Sequence, residues 1–181
     1  DTCYDLVFDL TSGDENYSGS AVITFTNPGP SALNDIVLRT FPNAPVLFGG
    51  SLEITSVWVD ETELTPEVFL ADRSAVRIPL DSVLAAGETI RLQLEYSGIL
   101  PVDFEREGIY GTYHYYSDGP VITLANAYPL LALLENGEWQ ASPVLAGGDA
   151  VVSRTALYRA EMRVPTGWQA YKDAGPSRQR E

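Results

Sequence analysis

Nine residues, Thr89–Ser97, constrain the fold more than any others. Ile90, Leu92, Leu94 and Tyr96 alternate with Arg91, Gln93, Glu95 and Ser97. Apolar residues at every second position put one face of an extended strand on a core and the other in water. Thr155–Val164 repeats the pattern: Ala156, Tyr158, Ala160, Met162 and Val164 define an apolar face, with Leu157 as the exception on the other. Shorter strands are expected at Tyr4–Leu10, Ser20–Thr26, Asp35–Thr40, Leu52–Asp60, Val68–Ala71, Ala75–Pro79 and Val121–Ala125, which are rich in β-branched and aromatic residues.

Breakers separate these runs. Ser12-Gly13-Asp14, Asn27-Pro28-Gly29-Pro30, Phe48-Gly49-Gly50-Ser51, Asp60-Glu61-Thr62, Ala85-Ala86-Gly87-Glu88 and Ser117-Asp118-Gly119-Pro120 read as turns. Helical periodicity is scarce, with single turns expected at Ser82–Ala86 and Pro129–Asn136. The expected class is all-β: mostly antiparallel sheets packed as a saddle or sandwich, with little helix. A chain of 181 residues fits one domain. We place it at residues 1–172, with the polar stretch 173–181 as a tail or boundary.

Composition excludes several functions. One cysteine, Cys3, cannot form a disulfide within the chain, and one histidine, His114, cannot anchor a multi-histidine metal site. With 25 acidic against 11 basic residues, the chain lacks the clustered positive charge that phosphate backbones require, so no nucleic-acid partner is expected. No run approaches the ~20 apolar residues of a membrane-spanning helix. The imbalance is uneven. Residues 1–100 hold 15 acids and 4 bases, and residues 101–181 hold 10 and 7. The early strands are therefore expected to face solvent and the later part to meet a partner. An extracellular or cell-envelope location is favoured over a cytoplasmic one.

Local chemistry is thin. His114 is the ordinary candidate for a general base, but no Gly-x-Ser-x-Gly nucleophile elbow accompanies it, and a histidine on an aromatic loop is the simpler reading. Carboxylate pairs are uninformative in so acidic a chain. Asp14-Glu15-Asn16 and Asp60-Glu61-Thr62-Glu63 offer oxygen ligands for calcium, yet neither matches an EF-hand loop. Tyr110, Tyr113, Tyr115 and Tyr116 could form a stacking platform, which keeps an alternative open: an extracellular carbohydrate- or protein-binding β-sandwich module. Asn126-Ala127-Tyr128-Pro129-Leu130-Leu131-Ala132, followed by Glu138-Trp139 and Gly147-Gly148-Asp149, is an apolar and irregular connection.

Taken in order, several segments resemble the amino-terminal β domain of the zinc aminopeptidases typified by aminopeptidase N and leukotriene hydrolase. Tyr4-Asp5-Leu6 is similar to the family's opening strand, and Gly19-Ser20-Ala21-Val22 through Phe25-Thr26-Asn27 to its second. Val37-Leu38-Arg39-Thr40-Phe41-Pro42-Asn43-Ala44 resembles the family's leucine–arginine–x–aromatic–proline–asparagine segment. Ile54–Asp60, Ile78-Pro79-Leu80, Leu84–Glu88, Ala156-Leu157-Tyr158 and Pro165-Thr166-Gly167-Trp168 continue the pattern.

The resemblance implies a non-catalytic domain that forms part of an active-site cleft wall and braces a catalytic domain. It implies zinc and peptide substrates for that other domain, as part of a metallopeptidase of the gluzincin type. No cofactor and no catalytic or metal-binding residue is expected in this chain. It has no His-Glu-x-x-His and no Gly-x-Met-Glu-Asn, since its one methionine, Met162, precedes Arg163. By the resemblance, Asn126 stands nearest a position that contacts the substrate amino group. Tyr128, Pro129, Leu130, Leu131 and Trp139 would face the catalytic domain, and an exposed apolar patch is expected along Asn126–Trp139.

Overall fold

The computed structural model describes residues 2–46, 48–102, 112–116, 119–145, 151–172 and 175–176. The chain enters as β1 (Thr2–Asp9), β2 (Asn16–Thr26) and β3 (Leu33–Arg39). A 3-10 turn, Phe41–Asn43, leads to β4 (Ser51–Val59), β5 (Thr62–Leu64) and β6 (Glu67–Val68). Then come β7 (Ala75–Leu84), β8 (Thr89–Ile99), β9 (Thr112–Tyr116) and β10 (Gly119–Thr123). Short strands β11 (Leu130–Leu131), β12 (Leu133–Glu135) and β13 (Glu138–Gln140) follow. The chain continues through β14 (Leu157–Arg163), β15 (Tyr171–Lys172) and β16 (Gly175–Pro176). The fold is almost entirely strand. The helical turns expected at Ser82–Ala86 and Pro129–Asn136 are instead the end of β7 with its turn, and the strands β11 and β12. β-branched and apolar residues there find cross-strand partners, and tertiary pairing overrides weak local preference.

Six strands form one sheet in the order β14-β1-β2-β8-β4-β5, and four form a second in the order β11-β3-β7-β6. All pairings are antiparallel except that of β1 with β14. Leu6, Ile23, Leu92 and Leu94 of the first sheet share one hydrophobic core with Ile36, Leu38 and Ile78 of the second. The alternation in β8 is realised as read: Ile90, Leu92, Leu94 and Tyr96 are buried, and Arg91 and Glu95 are exposed.

β3 is buried on both faces. Ile36 and Leu38 point into the main core, while Val37 joins Ala75, Ala132 and Ala141 in a smaller cluster behind it. That second cluster exists because the segment after Asn126 folds back over β3, with the Ala132 N–H bonding the Val37 carbonyl at 2.9 Å.

Two reciprocal pairs lock β2 to β8. Tyr17 lies opposite Gly98, and Gly19 opposite Tyr96. Each ring occupies the place a side chain on the facing glycine would take. A Cβ on Gly19 would sit 2.6 Å from the Tyr96 ring and 2.3 Å from the Val7 carbonyl oxygen. A Cβ on Gly98 would meet the Tyr17 ring at 2.6 Å. An aromatic laid over a cross-strand glycine restores the apolar cover that glycine lacks.

Candidate functional site

Residues Val37–Ala44 join β3 to the 3-10 turn, and their polar side chains fasten it. The Thr40 hydroxyl donates to the Arg73 carbonyl at 2.6 Å. Asn43 donates through Nδ2 to the carbonyls of Leu52 (2.8 Å) and Arg73 (2.9 Å), and its Oδ1 accepts from the Leu52 N–H at 2.8 Å. One amide thereby pins the start of β4 and the turn before β7 to the same point.

Arg39 is 5% exposed although cationic. Its guanidinium donates to the Ser142 carbonyl at 2.8 Å and lies 4.6 Å from the centre of the Phe41 ring. Its Nε has no partner. Burial lowers its pKa, partly offset by the negative charge of Asp72. With Phe41, Leu133, Ser142, Val144 and Val152 it lines an open cleft of about 300 Å³. A larger one, about 520 Å³, lies beside Tyr17, Asn43, Ser51, Arg73 and Gly98.

The segment from Asn126 onward departs from its expected exposure. Pro129, Leu130 and Leu131 are buried within the domain, and Tyr128, Leu133 and Trp139 are half-buried. The expected exposed apolar patch is therefore not formed by these residues, because the segment closes the domain's own core. Tyr128 packs edge-on against Tyr4 (6.0 Å), Phe8 (6.2 Å) and Tyr158 (6.1 Å). The Tyr4 hydroxyl accepts from the Leu131 N–H at 3.0 Å. The Trp139 indole N–H reaches the Asp35 carbonyl (3.2 Å) and carboxylate (3.1 Å), and its ring lies 5.7 Å from that of Phe25. Arg154 ties the returning chain to the Leu134 carbonyl at 2.9 Å. Burial raises the Tyr4 and Tyr128 phenols well above their ordinary pKa; Tyr128 is raised further by its hydrogen bond with Tyr158.

Asn126 sits half-buried in the turn before this segment, with φ of 57°. The Ala127 N–H closes the turn on the Leu124 carbonyl at 3.2 Å. Asparagine tolerates the left-handed region better than most residues, so a backbone demand accounts for its identity.

Tyr113, His114, Tyr115 and Tyr116 lie on β9, paired with β10. Tyr110, Ser117 and Asp118 fall outside the described residues, as do Gly147-Gly148-Asp149. In the Asp14 loop, the carboxylate accepts from the Ser12 hydroxyl (2.7 Å) and the Asn16 N–H (2.9 Å), which makes it a turn device. Among the described residues, no group of three or more His, Cys, Asp or Glu is placed to hold a metal ion. No helix among the described residues is long and apolar enough to cross a membrane.

The apolar surface lies elsewhere, at β14. All seven of its residues are exposed. The Tyr158 ring stacks on Tyr4 at 4.8 Å with the planes 6° apart, which places the Tyr158-Ala160-Met162 row on the core-facing side of the sheet. Yet Tyr158 is 48% and Met162 37% exposed, with the Tyr128 ring edge-on to Tyr158 at 6.1 Å. The half-buried strand expected at Thr155–Val164 is an edge strand among the described residues, with every residue of Leu157–Arg163 exposed. Its period is as read, but its place in the sheet order leaves the apolar face uncovered.

No family model matches the chain, and no curated protein matches it. Among solved structures it is similar to an M1 zinc metallopeptidase from Deinococcus radiodurans, with 25% identity over 55% of this chain and 20% of that one, and a TM-score of 0.42. A mutant of the Deinococcus enzyme gives 21% identity over 68% and 28%, with a TM-score of 0.46. A two-domain M1 zinc metallopeptidase mutant bound to L-arginine gives 20% identity over 64% and 26%, with a TM-score of 0.43. The matched part is between 20% and 28% of the length of those structures.

Proposed function

We propose that this chain is the non-catalytic amino-terminal β domain of a zinc aminopeptidase-like protein, forming part of the cleft wall and bracing a catalytic domain outside residues 1–181. The observation that carries the reading is the Val37–Ala44 segment. The residues that make it resemble the family's leucine–arginine–x–aromatic–proline–asparagine run form one structural device: Arg39 is buried over Phe41, and Asn43 clamps β4 and the turn before β7. The other resembling segments fall in chain order on β1, β2, β4, β7 and the turn that follows it, and on β14 and the turn that follows it. The contribution of Asn126 to an amino-group pocket belongs to the same reading, as does a face of Tyr128 and Trp139 turned to the catalytic domain. Peptide substrates and zinc would belong to that domain, and the cell exterior or envelope is the location we favour.

The test has two arms. The isolated chain is expected to hydrolyse no aminoacyl-p-nitroanilide, and added zinc should leave its melting temperature unchanged, since a ligand stabilises only what it binds. The natural reading frame containing residues 1–181 should encode a His-Glu-x-x-His with a downstream Glu, and its product should hydrolyse the same substrates with zinc. A frame lacking that motif, or zinc-dependent stabilisation of the isolated chain, overturns the proposal.

A further inference from the structure

The edge of β14 carries an inference independent of the aminopeptidase reading. The Leu10 N–H bonds the Arg163 carbonyl at 2.8 Å, and β14 runs in unbroken register with β1 from Cys3↔Leu157 to Asp9↔Arg163. In an extended strand the N–H and C=O of one residue point to the same side, and the side alternates. Leu157, Arg159, Glu161 and Arg163 therefore turn their backbone groups to β1. Tyr158, Ala160 and Met162 turn theirs to the outer edge of the sheet, where β14 has no neighbour among the described strands.

An open edge is a template for another strand, and proteins usually blunt it with charged side chains, proline or a bulge. Here the register with β1 has no bulge, no proline interrupts the strand, and the charges alternate in sign: Arg159, Glu161, Arg163. We propose that this edge pairs with the same edge of a second copy of the chain, antiparallel and centred on Ala160.

The sequence Leu157–Arg163 is complementary to itself about that centre. Ala160 faces Ala160 of the second copy, Tyr158 faces Met162, Arg159 faces Glu161, and Leu157 faces Arg163. The outward backbone groups of residues 158, 160 and 162 all fall on hydrogen-bonded positions of that register, each pair exchanging two bonds. Arg159 and Glu161 make two symmetry-related ion pairs on the outer face. Tyr158 and Met162 make two sulfur–aromatic contacts on the inner one. Leu157, 72% exposed, gains the aliphatic stem of Arg163. A two-fold axis normal to the sheet keeps inner face with inner face, so the contact is isologous and closes as a dimer. A shift of one residue loses the matching of outward groups, and a shift of two sets Arg159 against Arg163.

Sedimentation velocity on the 181-residue chain from micromolar to millimolar concentration tests this. The expected result is a monomer–dimer equilibrium. Arg159→Glu should weaken the dimer about tenfold, because like charges then face each other twice. Adding Glu161→Arg to that change should restore it. Ala160→Pro removes an outward N–H that β1 does not use and should leave a monomer with the parent's circular dichroism. If that variant fails to fold, the charge-swap series still decides. A peptide of residues 155–165 should dissociate the dimer. A monomer at every concentration overturns the proposal, as does a dimer indifferent to the charge series. Capture of a strand from a different chain, without self-association, also overturns the assignment to a second copy.

Discussion

β8 sets Ile90, Leu92, Leu94 and Tyr96 against polar neighbours, and β14 sets Tyr158, Ala160 and Met162 against charged ones. Both strands belong to one sheet. Leu92 is nevertheless 0% exposed, whereas every residue of β14 is exposed. The difference lies in position. β8 is flanked by β2 and β4 and covered by the second sheet, while β14, among the described residues, has β1 on one side and only the Tyr128 ring against its Tyr158. Periodicity encodes which way a side chain points; the sheet order decides whether anything is there to meet it.

That contrast can be broken by substitution. Leu92→Ala should lower stability by about 2–5 kcal/mol in urea unfolding, combining lost transfer energy with a cavity that the two sheets cannot close. A cost under 1 kcal/mol, on the order expected for surface sites, would show that the interior is looser than its burial implies. Gly19→Ala should cost about 1–3 kcal/mol, since its methyl group would overlap the Val7 carbonyl and displace Tyr96. An unaffected melting temperature would mean that the tyrosine–glycine pairs are incidental.

Tyr17→Phe should raise stability by about 1 kcal/mol. The hydroxyl is buried without a partner, and removing it removes an unmet desolvation cost. Leu157→Ser, on the open strand, should stay within about 0.5 kcal/mol for the monomer, measured at a concentration below any self-association.

Alkaline titration probes the buried side of the comparison. Burial raises the phenols of Tyr4, Tyr17, Tyr96 and Tyr128 above the ordinary value of 10.0. Their neutral forms are favoured in the folded chain, so their contribution is complete below pH 10.0 and is lost as pH rises beyond it. Stability should fall steeply above pH 10, and Tyr17→Phe should flatten that limb. A limb unchanged in the variant would remove Tyr17 from the coupled core. At the acid end, hydrogen bonds from Thr11 depress the Asp9 carboxyl, and those from Ser12 and Asn16 depress Asp14. Both loops keep their contribution above the ordinary carboxylate value and lose it as pH falls through the lowered one. Asp14→Asn should make acid unfolding less steep.

The strand framework was largely legible, because a period of two over nine residues has one cheap solution. The turns were legible from Gly, Pro and Asn for the same local reason. What local reading missed depends on remote partners. An exposed apolar patch was expected along Asn126–Trp139, but Pro129, Leu130 and Leu131 are buried within the domain, where Leu130 and Leu131 pair with β3. The tyrosine–glycine pairs join residues about eighty positions apart, and nothing in either neighbourhood marks them. Of the candidate site, sequence marked Asn126 for chemistry, and the structure supplies a conformational reason for it. Leu157 was readable as an exception to its strand's pattern, and it is among the most exposed apolar residues of the open edge.

Asn27 has a kinetic consequence. Its Nδ2 donates to the carbonyls of Ser31 and Leu84, its Oδ1 accepts from the Gly29 N–H, its backbone N–H bonds the Glu88 carbonyl, and its own carbonyl accepts from Gly87. Two surface turns, one between β2 and β3 and the other between β7 and β8, are thereby riveted through a single buried amide. The amide protons of Gly29 and Gly87 should exchange with deuterium at matching, slowed rates, opening together where surface turns ordinarily open one at a time.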